Sequence, residues 1–197
     1  MNRLIPSQSA LLNVDLQHHF VESARDGHAV VRKINILSAA FRDAGALVVH
    51  TRHVLRPDGS NIGLLRRIPK IRDGVLNEGA PSAAFHQMLE IDDRDVRLDK
   101  PRFGAFHATD LELILRSRGI DTIVLTGIST PVCCDTTARE ANARDFEVLI
   151  VRDATTSTGE DPDRYRDQSL DILDGLLARV VTSDEILQAL ESEKPRH

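Results

Sequence analysis

Short apolar runs alternate along this chain with longer stretches in which apolar residues recur every three or four positions. Six of these runs predict β-strands, at residues 10–14, 46–49, 95–99, 122–126, 146–151 and 179–182. Between the first two runs, Val30, Ile34 and Phe41 have the spacing of one helix face. Because strands and helices alternate, the pattern predicts βαβ units around a parallel sheet, an α/β fold.

The segment from residue 55 to 95 breaks this pattern, because glycine, proline and charged residues interrupt its apolar runs. We interpret it as surface loops with a short helix near residues 83–89. Long irregular segments of compact domains are usually either functional or mobile. The chain on either side is too short for two independent sheets, so we expect residues 1–197 to form a single domain.

Two segments carry the signals that begin helices. Thr109 and Glu112 have the spacing of a capping box, before a helix that Gly119 is well placed to end. Thr130 and Pro131 suit the N-cap and N1 positions of a second helix, which we expect to run to about residue 143.

Composition and charge exclude several classes of function. Hydrophobic residues form 41% of the chain, which is ordinary for a globular protein, and the net charge of −5 gives no basic footprint for nucleic acid. No apolar run reaches the roughly 20 residues that cross a bilayer, and the N-terminal residues lack the pattern of a signal peptide. We therefore expect a cytoplasmic protein with a small-molecule substrate and no nucleic-acid or membrane partner.

The two cysteines of the chain, Cys133 and Cys134, are adjacent. Neighbouring cysteines rarely form a disulfide, because the geometry is strained. Without a disulfide framework, the chain fits a reducing compartment, and a chemical role for one of the thiols is favoured.

Three reactive side chains follow predicted strands. Asp15 closes the first strand, Lys100 follows the third, and Cys133 lies beyond the fourth, in the first turn of the next helix. The carboxyl ends of parallel strands meet at one rim of a sheet, where ligands bind. We therefore expect a carboxylate, an ammonium and a thiol to converge there.

Each of the three has a chemical role at such a rim and a structural alternative. A helix N-terminus and a nearby cation would lower the pKa of the Cys133 thiol. Asp15 could act as general base and Lys100 could keep it ionised, while the turn at residues 127–130 could aim backbone N–H groups at an oxyanion. Taken singly, they could also be a strand-end carboxylate, a solvated lysine and a packed core thiol.

Three motifs together resemble the isochorismatase-like cysteine hydrolase superfamily. They are LLNVDLQHHF at residues 11–20, DKPRFGAFHATDLELIL at residues 99–115 and TGISTPVCCDTTAREA at residues 126–141. The superfamily includes nicotinamidases, N-carbamoylsarcosine amidase, ureidoacrylate amidohydrolase and biuret hydrolase. The resemblance extends from about residue 11 to 153, and the block from residue 100 to 141 is most similar to biuret hydrolase and related ureido or amide hydrolases.

The resemblance implies a three-layer Rossmann-like fold with a mainly parallel sheet flanked by helices. It implies Asp15, Lys100 and Cys133 as a catalytic triad, and a cis peptide between Ile128 and Ser129. The N–H groups of Ser129 and Cys133 would then form the oxyanion hole. Relatives often form dimers or tetramers, so the resemblance also implies a homo-oligomer.

Further candidates for substrate contact are Gln17, Phe20, Phe103, Phe106 and Thr130 of these motifs, and Arg52 and His53 after the second strand. For the phenylalanines after Lys100, packing of the loop against the core is an equal alternative. Three residues depart from the family pattern, namely Asn13 in place of an apolar residue, Pro131 in place of Asp or Asn, and Cys134 in place of Val. None removes a triad member, and Pro131 is the one expected to reshape the pocket wall.

His50 and His53 suggest a metal site, which nicotinamidases build from an Asp-x-His pattern and another histidine. The comparable segment here is Thr51-Arg52-His53, which lacks the carboxylate ligand. We therefore predict no metal, and no other cofactor is expected. His18 and His19 are interpreted as loop residues near the rim.

The sequence thus favours a cysteine-dependent hydrolase that cleaves a small amide or ureido C–N bond through a thioester. One alternative is vinyl-ether hydrolysis of the isochorismatase type, which the presence of Cys133 disfavours. The other is a redox-sensing or binding protein on the same scaffold, in which adjacent Cys133 and Cys134 are oxidised instead of acylated.

Overall fold

The computed structural model describes residues 4–192, and within that range six strands form one sheet. The strands are β1 (Ser9–Val14), β2 (Leu47–His53), β3 (Val96–Lys100), β4 (Thr122–Ile128), β5 (Glu147–Thr156) and β6 (Arg179–Val181). Their order in the sheet is β3-β2-β1-β4-β5-β6, and every neighbouring pair is parallel. The α/β fold with a mainly parallel sheet is therefore confirmed.

Helices connect and cover these strands. They are α1 (His18–Ser23), α2 (Gly27–Asp43), α3 (Pro69–Arg72), α4 (Leu111–Ser117), α5 (Asp135–Asn142), α6 (Pro162–Leu173) and α7 (Ser183–Ser192). Short 3₁₀ turns occupy Pro6–Gln8, Gly63–Arg67 and Pro81–Ala83. None of the helices in the described part of the chain has the length and apolar content needed to cross a membrane.

The core consists of two apolar layers, one on each face of the sheet. Leu12 and Val14 of β1 pack with α4, α5 and α6, whereas Leu11 of the same strand packs with α1, α2 and α7. The buried face of α2 includes Val30, Val31, Ile34, Leu37 and Phe41. The helical spacing in the sequence thus predicted the correct face.

The prediction of a short helix near residues 83–89 is wrong. The chain makes a 3₁₀ turn at Pro81–Ala83 and then runs alongside the start of α1, with Phe85 forming an antiparallel bridge to Gln17. His18 N donates to Ala84 O at 3.0 Å and His86 N donates to Leu16 O at 2.8 Å. Because these long-range bonds satisfy the backbone, the segment does not form a helix.

The helix predicted to begin at Thr130 begins differently. Residues Thr130–Cys134 form a π-helical turn that precedes α5, and Ser129 is the N-cap residue. The Cys134 N–H donates to Ser129 O, five residues earlier, at 3.1 Å. π-helical turns occur frequently at functional sites.

The strand before this turn is longer than predicted, because Gly127 lies within β4 instead of opening a turn. Gly127 has φ +122°, and a Cβ there would lie 2.1 Å from the carbonyl oxygen of Val14. Only glycine therefore lets the end of β4 approach β1 this closely. This approach brings the chain after β4 next to the residue that follows Val14.

Candidate active site

The three residues expected at the rim of the sheet come together in the structure. Asp15 follows β1, Lys100 is the last residue of β3, and Cys133 lies in the π-helical turn after β4. Asp15 Oδ2 lies 2.8 Å from Lys100 Nζ, and both side chains are fully buried. Cys133 is 2% exposed, and the charges of Lys100 and Asp15 both act on its thiol.

Asp15 is held by the neighbouring strand β2. Its carboxylate oxygen Oδ1 accepts a 2.8 Å hydrogen bond from Thr51 Oγ1, and its backbone N–H donates to Thr51 O at 3.2 Å. The residue has φ +55°, a left-handed conformation that is uncommon for a residue other than glycine. Such backbone conformations cluster at functional sites because the surrounding structure must impose them.

Lys100 is held by the chain that follows it. Its ammonium donates to the carbonyl oxygens of Arg102 and Phe103, each at 2.9 Å, and pairs with Asp15. Burial by itself lowers the pKa of Lys100, but the negative charge of Asp15 and its hydrogen bond to the ammonium help raise that pKa above its ordinary value. Lys100 is therefore a fixed cation at neutral pH.

The expectation of a lowered thiol pKa is wrong for the free protein. Burial raises the pKa of Cys133 to about 12, which the positive charge of Lys100 opposes and the negative charge of Asp15 reinforces. The sequence places a cation and a helix start near the thiol, but it does not reveal that the thiol is enclosed. At neutral pH the Cys133 side chain is therefore a neutral thiol beside a carboxylate that can accept its proton.

The turn between β4 and Cys133 contains the cis peptide that the resemblance implies. The Ile128–Ser129 peptide is cis. Ser129 is 7% exposed, and its hydroxyl lies 3.1 Å from the hydroxyl of Ser157 at the end of β5.

His53 lies beside the buried ion pair, at the end of β2. Its ring is buried, and neither ring nitrogen has a hydrogen-bond partner among residues 4–192. Burial, together with the positive charge of Lys100, lowers the pKa of His53 to about 4. Phe103 meets the ring edge-on, with centroids 5.7 Å apart. These two candidate substrate residues therefore adjoin the Asp15–Lys100 pair.

The other candidate substrate residues have their side chains engaged elsewhere. Gln17 bonds the backbone of His53 and Ala83, and buried Thr130 donates to Thr156 O at 3.0 Å. Arg52 forms a bidentate ion pair with Asp99, Phe106 packs against Phe146, and Phe20 packs against the core beneath the irregular segment.

His50 belongs to a polar network on the opposite face of the sheet from the thiol. Its Nε2 lies 3.0 Å from an Asp95 carboxylate oxygen, and its Nδ1 lies 3.3 Å from the Asn13 amide nitrogen. Asn13 Oδ1 in turn accepts a 2.6 Å hydrogen bond from Thr126 Oγ1. The departure at Asn13 thus supports a buried network, and His50 and His53 do not form a common site.

Two cavities adjoin this rim. The larger, of about 640 Å³, lies between α1, the start of α2 and Ser157–Gly159, and none of the three rim residues lines it. The second, of about 440 Å³, is lined by Ser129, Pro131 and Val132 on one side and by Tyr165 and Ile172 of α6 on the other. None of the three rim residues lines the second cavity either, but it borders the turn that carries Cys133, through Ser129, Pro131 and Val132.

Residues 9–185 match the family described as Isochorismatase domain. This chain belongs to the isochorismatase family. The resemblance inferred from the motifs is therefore confirmed, and the family comprises hydrolases.

Relatives in this family include amidohydrolases. The chain is 34% identical over 164 residues to maleamate amidohydrolase of Pseudomonas putida. That alignment covers 82% of this chain and 75% of the relative. It is 33% identical over 144 residues to ureidoacrylate amidohydrolase RutB of Methylorubrum extorquens, covering 66% of this chain and 58% of that relative. A cysteine hydrolase from Pseudomonas syringae has a TM-score of 0.91 at 30% identity, covering 98% of this chain and 96% of that structure.

Two residues shape the site in ways that the sequence analysis did not predict: Thr51 was given no role there, and Gln17 was expected to contact substrate. Thr51 fixes the Asp15 carboxylate, and Gln17 joins the end of β2 to the irregular segment through three hydrogen bonds. Thr51 could have been found from its position near the end of a strand next to Asp15. The role of Gln17 depends on Ala83, 66 residues away, so no local signal indicates it.

Proposed function

We propose that this chain is a cysteine amidohydrolase that cleaves the C–N bond of a small, non-peptide amide or ureido substrate. The observation that carries the proposal is the buried Asp15–Lys100 ion pair, 2.8 Å long, whose charges act on the enclosed thiol of Cys133. The amidohydrolase relatives support the same reaction class.

In the acylation step, Asp15 takes the proton of the Cys133 thiol as its sulfur attacks the substrate carbonyl. Proton transfer and attack occur together in this step, so no stable thiolate has to form first. This suits Cys133, because burial raises the pKa of its thiol to about 12. The tetrahedral oxyanion accepts hydrogen bonds from the backbone N–H groups of Ser129 and Cys133. Lys100 keeps a positive charge next to Asp15 throughout.

Collapse of this intermediate breaks the C–N bond, and Asp15 gives its proton to the leaving nitrogen. The carbonyl carbon is then held as a thioester on Cys133. Asp15 next deprotonates a water molecule that attacks the thioester. The acid product leaves, and the departing sulfur of Cys133 recovers its proton.

The substrate enters from the cavity lined by Ser129, Pro131 and Val132 in this proposal. Its volume of about 440 Å³ suits a small molecule. Pro131 forms part of this wall, so the residue that departs from the family pattern there would influence which substrate fits.

A redox-sensing role fits the site less well. Cys133 and Cys134 are 2% and 0% exposed, and burial raises the pKa of both thiols. Oxidation to a sulfenic acid requires an accessible thiolate. The enclosed pair therefore favours a reaction in which a base next to the thiol removes its proton.

The test is a hydrolysis screen of maleamate, ureidoacrylate, biuret, N-carbamoylsarcosine and nicotinamide, with ammonia as the readout. Samples quenched in acid during turnover should show by mass spectrometry an acyl group on the peptide that contains Cys133. Release of pyruvate from isochorismate without ammonia from any amide would replace the proposal with vinyl-ether hydrolysis. Sulfenic acid on Cys133 with no turnover would replace it with redox sensing.

The homo-oligomer implied by the family resemblance stays a prediction. Size-exclusion chromatography with light scattering should give the mass of a dimer or a tetramer, and a monomer at micromolar concentration would contradict it. The same preparation serves for the hydrolysis screen.

A further inference from the structure

Three histidines and one glutamate, none of them in the proposed catalytic triad, meet where α1, the start of α2 and the irregular segment come together. His18 and Glu22 are one turn apart on α1, His28 lies near the start of α2, and His86 comes from the irregular segment. Within residues 4–192, His18, Glu22 and His86 form the group whose ligand atoms all lie within 4.8 Å of one another.

The geometry of this group is close to that of a metal site. Glu22 Oε1 lies 2.9 Å from His86 Nε2 and 3.0 Å from His28 Nε2, and the ring centroids of His18 and His86 are 4.8 Å apart. Zinc bonds of roughly 2.0–2.1 Å place tetrahedral ligand atoms roughly 3.4 Å apart. Small rotations of the side chains would therefore bring all three ligands to one ion.

The donors suit a borderline divalent ion of the zinc class, which binds imidazole nitrogen and carboxylate oxygen. The Glu22 carboxylate oxygen Oε1 faces the Nε2 atoms of both His28 and His86. Glu22 and His28 are half-exposed and line the cavity of about 640 Å³, which gives an ion a path to the group.

His86 gives the group a rigid anchor. Its side chain is 1% exposed, and its backbone N–H donates to Leu16 O at 2.8 Å. Its Nδ1 accepts a 3.3 Å hydrogen bond from Met88 N. When an ion binds Nε2, the ring proton lies on Nδ1, which can then no longer accept from Met88 N. The weak Met88 hydrogen bond is lost and a metal–nitrogen bond is gained.

We propose that His18, Glu22 and His86 bind one divalent ion of the zinc class, with His28 orienting the Glu22 carboxylate. The ion would join α1 to the segment at residues 84–86, which already pairs with residues 16–18. Because residue 16 directly follows Asp15, the ion would stiffen the backbone next to the proposed general base. The site lies outside the His50 and His53 region and departs from the sequence expectation of no metal.

The experiment is a calorimetric titration of ZnCl₂ into untagged, EDTA-treated protein. We expect one zinc ion per chain and a rise in Tm of about 5 °C at saturation. His18→Asn, Glu22→Gln and His86→Asn should each weaken zinc binding about 100-fold. His19→Asn is the matched control, because His19 is adjacent to His18 but outside the group, and it should bind zinc like the unmodified chain.

Two results would overturn the proposal. One is unchanged zinc affinity in the Glu22→Gln variant. The Glu22 side chain is 57% exposed, so this variant should fold even if the variant of buried His86 does not. The other is loss of zinc binding in Cys133→Ala, which would place the ion on the thiol. Retention of one zinc ion by Cys133→Ala supports a site separate from the proposed nucleophile, and failure of the amidase assays leaves this titration unaffected.

Discussion

Asp15 and Lys100 form a fully buried ion pair across a strand to which neither belongs. Their atoms Oδ2 and Nζ are 2.8 Å apart, and β2 lies between the strands that carry them. Thr51, on that intervening strand, donates to the other Asp15 oxygen. The pair therefore depends on three adjacent strands being in register at their carboxyl ends.

Breaking this pair should destabilise the protein and abolish activity. Asp15→Asn and Lys100→Met each leave one buried charge without its partner, so each should lower the free energy of unfolding by about 3–5 kcal/mol. The double variant should lose less than the sum of the two, because it contains neither charge. Urea denaturation of the three variants measures this coupling, and additive losses would show that the pair is not energetically linked.

The two adjacent cysteines allow a matched test of the nucleophile. Cys133→Ala should reduce turnover of any substrate found in the screen by at least about 1000-fold. Cys134→Ala should retain turnover within a few-fold, because this thiol packs in the core and faces Thr126 O at 3.9 Å. Equal losses in both variants, with both correctly folded, would contradict the assignment of Cys133.

Alkylation of Cys133 should show the raised pKa directly. With a pKa of about 12, the thiolate fraction grows about tenfold per pH unit from pH 7 to 10. The rate of modification by iodoacetamide, followed by mass spectrometry in a Cys134→Ala background, should rise in that proportion without a plateau. A plateau near pH 7 would indicate a stabilised thiolate and a different activation of the nucleophile.

His53 should make the fold sensitive to acid. Its pKa falls from 6.5 to about 4 on folding, so the unfolded chain binds a proton first as pH decreases. The stabilisation, about 3 kcal/mol, is present above pH 6.5 and is lost as pH falls toward 4. Urea midpoints between pH 7 and 4 should fall less steeply in His53→Phe, and identical slopes would contradict this account.

Gly127 should be irreplaceable for steric reasons. Gly127→Ala places a Cβ 2.1 Å from the Val14 carbonyl oxygen, which forces β4 away from β1. We expect a loss of unfolding free energy above about 3 kcal/mol. Gly119→Ala is the control, because Gly119 also has a positive φ, +67°, but a Cβ added there would meet nothing within 4 Å, and the change should cost about 1 kcal/mol. Similar losses in the two variants would mean that backbone conformation, and not the approach to Val14, decides the effect.

Hydrophobic periodicity and motifs in the sequence determined the sheet, its parallel arrangement and the meeting of Asp15, Lys100 and Cys133. This was possible because apolar spacing specifies strands and helix faces, and parallel strands bring their carboxyl ends to one rim. The elements predicted from local signals alone were less accurate. The expected helix near residues 83–89 is absent from the described structure, because its backbone bonds to residues 16–18 instead.

Only the tertiary structure decided the electrostatics and the long-range contacts. A cation and a helix start near Cys133 suggested a lowered thiol pKa, yet enclosure raises it, and enclosure depends on every element packed around the turn. The group formed by His18, Glu22 and His86 likewise joins residues 64–68 positions apart, whose meeting no local pattern encodes. Local residue order fixes which chemical groups exist, while their solvation and partners are set by segments distant in the chain.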